Sequence, residues 1–447
     1  MNADALLERF RPLFDPRGII IAGASSHPGK FGFVAAHNIL GHGYTGKVFM
    51  TNREGSKVLG RQTLRSVEEV PAGQADLVFV CTPASTIPDL LRTCAEKGVR
   101  AAFISSAGYG EVDEEGRRAE QELAALCDEL DIVMAGPNGQ GIISTPSSLC
   151  AQIIAPYPPS GRIAVASQSG GFVQSFLNYA RKTGVGVSRA ISAGNSAQTR
   201  VEDYLEYLAV DPETGANLIY VEGIENGRAF YDKARTATGA KPLVVLKGGS
   251  TASGARAAAS HTGALATDDK VFDGMCRQAG VSRATTVEEA FEIAASFACH
   301  PIPEGPNVFV LTTAGGWGVV AADRLTESRE LELMPLPADL ERNGPFYPDH
   351  GLERIVEYHE RQDTRYATAA IEAERKYGKP ILVATELSDT QPENPGVATL
   401  MQHQSLVYPS SYRAVTALEH LFRYGRFRAR HGLPPLRPDS ARPAGAR

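Results

Sequence analysis

GIIIAGASSHPGKFG (Gly18–Gly32) is a run of β-branched residues that stops on a glycine and then turns through small and polar residues. An uninterrupted apolar strand fits a sheet covered on both faces. Followed by a glycine turn and an amphipathic stretch, it reads as the opening unit of a doubly wound sheet. Outward from it the same pattern repeats. GKVFMTN (Gly46–Asn52), ADLVFVCTP (Ala75–Pro83), RAAFISSAG (Arg100–Gly108) and DIVMAGPNGQG (Asp131–Gly141) are further strands, and IPDLLRTCAEKG and EGRRAEQELAALCDEL lie between them as helix-like segments. After the Pro-rich break IIAPYPPSG (Ile153–Gly161) the pattern restarts with GRIAVASQSGG, GVGVSRAISAGN, ANLIYVEGI and KPLVVLKGG. After CHPIPEGP (Cys299–Pro306) it starts again at NVFVLTTAGGWGV, with KPILVATEL (Lys379–Leu387) and SLVYPS (Ser405–Ser410) as later strands. The expected fold is α/β, with three doubly wound domains over residues 1–150, 151–300 and 301–430 and a disordered tail at 431–447.

Composition narrows the function. Of 447 residues, 43% are hydrophobic and 21% charged, enough for a sizeable core in a soluble protein. The formal net charge of -6, without a run of Lys and Arg, argues against nucleic acid and against an anionic membrane surface. The first residues, MNADALLERFRPLFDPRG, lack the apolar region of a signal peptide, and no apolar stretch is long enough to span a bilayer. The six cysteines form no CxxC pair and the ten histidines no metal-binding spacing, so free thiols, a cytoplasmic location and no metal site are expected.

Each domain opens with a strand, a small-residue turn and a helix, an arrangement whose freed N–H groups favour an anion. The first turn holds Gly23, Ser25, Ser26, Lys30 and Gly32. It lacks the G-x-G-x-x-G spacing, and the second strand ends in Asn52 and Arg53, where a dinucleotide enzyme carries an acid for the ribose. A nucleotide with an extra phosphate, such as coenzyme A, suits it better. The second turn offers Ser167, Ser169, Gly170 and Gly171, and the third Gly315, Gly316 and Gly318, with the bulky Trp317 among them. His261 lies in the Gly/Ala-rich stretch ASGARAAASHTGALATDD (Ala252–Asp269), away from any apolar face. A neutral imidazole is a competent nucleophile toward phosphorus when its second nitrogen is held by an acceptor. Glu222, at the end of ANLIYVEGI, is a candidate for that acceptor.

These strings, in this order, resemble the ADP-forming acetyl-CoA synthetase and succinyl-CoA synthetase superfamily: FDPRGIIIAGAS, ISSAGYGE, GPNGQGIIS, VASQSGG, YVEGI, ASHTGALA and TTAGGWGV, spread from about residue 14 to 325. The resemblance implies a Rossmann-like CoA-binding domain followed by two flavodoxin-like CoA-ligase domains. It implies an acid–thiol ligase that joins a small carboxylic acid to CoA through an acyl phosphate. His261 takes the place of the phosphorylated histidine and Glu222 that of the glutamate contacting it. Ser167, Ser169, Gly170 and Gly171 match the helix start that receives the phosphate, and Gly315, Gly316 and Gly318 an opposing one. Gly23, Ser25, Ser26, Lys30, Gly32 and Asn52 fall in the CoA region, with Asn138 in the Gly-Pro-Asn turn near the reaction centre. The chain departs from the pattern at Gly139, where a cysteine is usual, at Trp317, and at RNGPFYPDHG (Arg342–Gly351), where a longer unit is usual. No ATP-grasp module follows, which implies ATP and Mg²⁺ on a separate beta subunit in a hetero-oligomer. A CoA-binding regulatory paralogue without turnover and a nicotinamide oxidoreductase are the competing readings.

Overall fold

The computed structural model describes residues 2–154, 156–251, 253–254, 256, 268–312, 315–335, 352–390 and 393–436. The chain divides into two compact units, Met1–Ala180 with Gly186–Val287, and Arg181–Val185 with Glu288–Arg447.

The first unit holds two sheets. Helix α1 (Ala3–Phe14) leads into β1 (Gly18–Ala22), followed by α2 (Phe31–Gly41), β2 (Lys47–Thr51), the short hairpin β3 (Lys57–Val58) and β4 (Arg61–Gln62), β5 (Leu77–Val80), α3 (Ile87–Glu96), β6 (Ala101–Ile104), α4 (Glu114–Glu129) and β7 (Val133–Ala135). The sheet runs β2-β1-β5-β6-β7, every pair parallel. The residues of β1, β5, β6 and β7 are all buried, which is why their sequences run apolar without alternation. The chain leaves β1 for β2 on one side and then crosses to β5 on the other. The turn after β1 therefore sits at the topological switch point, where open α/β sheets bind ligands.

The second sheet contains β8 (Gly141–Ser144), β9 (Leu149–Gln152), β10 (Ser160–Ser167), β11 (Val187–Ser192), β12 (Ala216–Val221), β13 (Leu243–Lys247) and β14 (Ser282–Ala284). Its order is β14-β13-β12-β10-β11-β8-β9. The five strands from β14 to β11 are parallel, and the hairpin β8–β9 adds to β11 antiparallel. Here α5 (Gly170–Thr183) follows β10, α6 (Val201–Val210) follows β11 and α7 (Gly227–Ala240) follows β12. The switch point falls after β10, between β11 and β12. One buried core joins the two sheets. In it Phe14 of α1 stacks on Tyr207 of α6 at 4.9 Å, and Phe10 lies 5.9 Å from Tyr204. Beside them buried Arg189 of β11 pairs with Asp15 at 2.6 Å and with Asp211 at 3.2 Å.

In the second unit the strands are short parallel pairs, β15 (Asn307–Val308) with β16 (Glu332–Leu333) and β17 (Val383–Ala384) with β18 (Val407–Tyr408). Helices Val287–Cys299, Gly315–Glu327, Leu352–Tyr377, Pro395–Gln402 and Ser411–Arg430 accompany them. Among the described residues no helix is long and apolar enough to cross a membrane.

Candidate functional site

At the first switch point the turn after β1 is built by close approach. Gly23 has φ +84°, and a Cβ on Gly32 would lie 2.0 Å from the Gly23 carbonyl oxygen. Only glycine lets the first turn of α2 come so near the strand end. Asn52 braces the turn from β2: its Nδ2 donates to the Ala24 carbonyl at 2.8 Å, and its Oδ1 accepts from the Glu54 N–H. Ser25 Oγ accepts from the His27 N–H at 3.1 Å, and Lys30 is the N-cap of α2. Ser26, Gly29 and Lys30 are exposed, so an ammonium and a helix start face solvent together. The turn suits a phosphate-bearing ligand, with Asn52 shaping it from behind.

A line of contacts runs from this turn along the strand ends of the first sheet. Thr82 lies against Gly23, Ser106 Oγ donates to the Thr82 carbonyl at 2.6 Å, and the Asn138 N–H donates to the Ser106 carbonyl at 3.0 Å. Asn138 is exposed with φ +60°, and its Nδ2 donates to Asn195 Oδ1 at 3.3 Å. Asn195 follows β11 and donates in turn to Glu111 at 2.5 Å and to Glu120 at 2.6 Å. The Gly-Pro-Asn turn thus joins the first sheet's ligand edge to the second sheet's switch point.

At that second switch point Ser167 ends β10, fully buried. Its hydroxyl accepts from the Ser169 N–H at 3.1 Å and donates to the Ser169 carbonyl at 2.7 Å. The hydroxyl shapes the turn, and the helix starts directly on Gly170 and Gly171, whose N–H groups belong to the unpaired first turn of α5. A Cβ on Gly170 would meet Gln140 Cδ at 2.0 Å, so the Gly-Pro-Asn segment packs against this helix start.

Gln168 is a residue that the sequence analysis missed. Its Oε1 accepts from the N–H of Glu222 at 2.6 Å and of Gly223 at 3.2 Å, and its Nε2 donates to the Gly223 carbonyl at 3.0 Å. The turn and Glu222 are thereby held as one piece. Tyr220 Oη donates to Glu222 Oε1 at 3.1 Å, and its ring stacks on Phe172 at 3.8 Å. Burial, together with the nearby Glu222 carboxylate, pushes the Tyr220 phenol up, so it stays protonated as a donor. The signal for Gln168 was its place inside SQSGG, but its partners lie 54 and 55 residues away and follow from sheet order alone.

His261 lies outside the described residues. The chain on either side of it is held: buried Lys247 Nζ donates to the carbonyls of Gly248 and Gly249 at 3.2 and 3.4 Å, and Asp268 Oδ1 caps the helix Asp269–Ala279 through two N–H groups. In the second unit Gly315, Gly316 and Gly318 open the helix Gly315–Glu327, with Gly315, Gly316 and Trp317 exposed. All six cysteines are free, and burial pushes the Cys81 thiol beside the first turn up to about 12, which makes it a poor nucleophile at neutral pH. Among the described residues no group of three or more metal-ligating side chains occurs.

Comparison with known proteins assigns these parts. Residues 17–145 match the CoA binding domain model, and residues 160–297 match the succinyl-CoA ligase like flavodoxin domain model. The chain is 33% identical to the alpha subunit of the ADP-forming acetate–CoA ligase I of Pyrococcus furiosus, over 94% of this chain and 98% of that one. It is 38% identical to the ADP-forming acetate–CoA ligase I of Archaeoglobus fulgidus, over 70% of this chain but 45% of that one. In structure it is similar to acetyl-coenzyme A synthetase 1 of Candidatus Korarchaeum cryptofilum, solved with phosphate and ADP, at 28% identity and a TM-score of 0.81 over 96% of this chain and 99% of that one.

Proposed function

The chain belongs to the family of ADP-forming acetate–CoA ligases, and on that premise we propose that it is the CoA-binding, phosphoryl-carrying subunit of an acyl-CoA synthetase, with His261 as the phosphorylated residue. The reaction converts carboxylic acid, CoA and nucleoside triphosphate into acyl-CoA, nucleoside diphosphate and phosphate. The observation that carries the reading is the Gln168 clamp, which ties the backbone of Glu222 to the glycine turn that opens α5 at one switch point.

In the half-reaction assigned to this chain, a neutral His261 nitrogen attacks the phosphorus of an acyl phosphate. The bond from phosphorus to the acyl oxygen breaks and the carboxylate leaves. Glu222 holds the other ring nitrogen, keeping the attacking lone pair aimed and balancing the positive charge the ring develops. The N–H groups of Gly170 and Gly171 take the phosphoryl oxygens. Thioester formation runs this step in reverse to acyl phosphate, which the CoA thiol then attacks. Ser25, Ser26, Lys30, Gly23 and Gly32 form the cradle for CoA, and the line through Thr82, Ser106 and Asn138 offers its path to the second sheet. The division into domains near 150, 300 and 430 follows the same reading, as does a partner ATP-grasp subunit carrying ATP and Mg²⁺. Some relatives are longer single chains, of which this chain spans about half.

The test is direct. Incubated with acetyl phosphate, the full chain gains one acid-labile, base-stable phosphate by intact mass, and His261→Ala abolishes it. Phosphate persisting in that variant overturns the assignment.

A further inference from the structure

The residue that follows the two glycines of the phosphate-receiving helix start is Phe172, and its ring lies flat on Tyr220, centroids 3.8 Å apart and planes 17° apart. Tyr220 is 6% exposed and spends its hydroxyl on Glu222 Oε1 at 3.1 Å. Gly248 closes the third side. A Cβ there would come within 2.6 Å of Tyr220 Oη and 3.4 Å of Glu222 Cγ, so nothing larger than glycine leaves the pair intact. Gln168 fixes the Glu222 backbone. Strand end, turn, helix start and next strand end therefore converge on the Tyr220–Glu222 pair.

A buried phenol needs a partner for its hydroxyl. Main-chain acceptors are common in such a place, yet here the partner is the carboxylate of the proposed orienting residue. A donor held on a carboxylate oxygen restricts the rotation of that carboxylate. We propose that Tyr220 is a positioning residue for phosphoryl transfer: pinned by Phe172, it fixes the Glu222 carboxylate, and through it the phosphorylated imidazole, relative to the helix start that receives the phosphate. The inference rests on the phosphohistidine reading and adds an orienting residue to it.

Tyr220→Phe removes one oxygen and keeps the stack on Phe172, so the fold and the aromatic pair survive. The measurement is the rate of acid-labile phosphate uptake from acetyl phosphate by the full chain, in four forms: wild type, Tyr220→Phe, Glu222→Ala and the double variant. Tyr220→Phe slows uptake about tenfold, the value of one hydrogen bond to a charged group. In the Glu222→Ala background the same change has no further effect, because two residues acting through one contact are not additive. Equal slowing in both backgrounds, or none in either, overturns the positioning role while leaving His261 phosphorylation standing. Absence of acid-labile phosphate in the wild type overturns both.

Discussion

At Asp76 burial and two guanidinium groups act on one carboxylate in opposite directions. Burial pushes its pKa up, but the Arg17 side chain at 2.6 Å, the Arg17 N–H at 2.9 Å and Arg11 at 3.2 Å outweigh it and hold the group at about 2. The folded value lies below the unfolded one near 3.9, so the stabilisation is fully present above about pH 4 and is lost as pH falls toward 2. Asp76→Asn is expected to lose about 1–3 kcal/mol at pH 7. The gap between variant and wild type should narrow in urea titrations repeated down to pH 2.5. The departure at Gly139 has a local reason at the same scale. A Cβ there would sit 2.5 Å from Phe103 Cζ and 2.8 Å from the Ser192 carbonyl oxygen, while Phe103 is stacked on Phe79 at 5.1 Å. The ring occupies the space that a side chain at 139 would need.

Among the elements, α2 and α5 open after the two glycine turns, and their glycines differ in what they face. A Cβ on Gly170 meets the side chain of Gln140, which can swing; a Cβ on Gly32 meets the backbone of Gly23, which cannot. Gly32→Ala should therefore push α2 off its turn and weaken CoA at least tenfold by calorimetry, about 1.4 kcal/mol. Phosphate uptake from acetyl phosphate should be unchanged, since the second switch point lies on another sheet. Apart from β14, a three-residue strand that went unread, and the hairpin β8–β9, the strands of the two large sheets were legible because their apolar runs are continuous and most end at a glycine. GIIIAGAS gives β1 and ANLIYVEGI gives β12 in this way. The hairpin β8–β9 was not, because GIISTPSSLCAQ carries neither period-two alternation nor an Asn-Gly turn. Helix α1 was read only as the lack of a leader, with Pro12 inside it masking the period. At the site, single residues such as Glu222 could be named from their strand ends. The contacts of Gln168 and Asn195 could not, since strand order decides which distant ends become neighbours.

For the molecule as a whole, phosphoryl transfer from a nucleoside triphosphate needs Mg²⁺, carboxylates to hold it and cations around the triphosphate. The sequence has no Walker A motif, and the reading proposed above gives the first glycine turn to CoA and the second to the phosphohistidine. The purified chain given acid, ATP and CoA is therefore expected to make no acyl-CoA, and adding an ATP-grasp subunit of the family should start turnover. Robust thioester formation by this chain alone would require a nucleotide site among residues given other roles above.

The welding of α1 and of β8–β9 onto the second sheet has a consequence for recombination. In sequence both segments flank the first sheet; in space α1 stacks on α6 and the hairpin extends β11. The CoA-binding module is thus threaded through its neighbour at both ends, like a bead held by two knots. A chimera that exchanges residues 1–150 between relatives tears Phe10, Phe14 and a sheet edge from their partners, whereas one that exchanges residues 17–135 carries the five parallel strands and leaves both knots tied, at the cost of the Arg11–Asp76 pair. Gene shuffling in this family should accordingly favour crossovers just before β1 and just after β7, well inside the boundary that the Pro-rich break suggests.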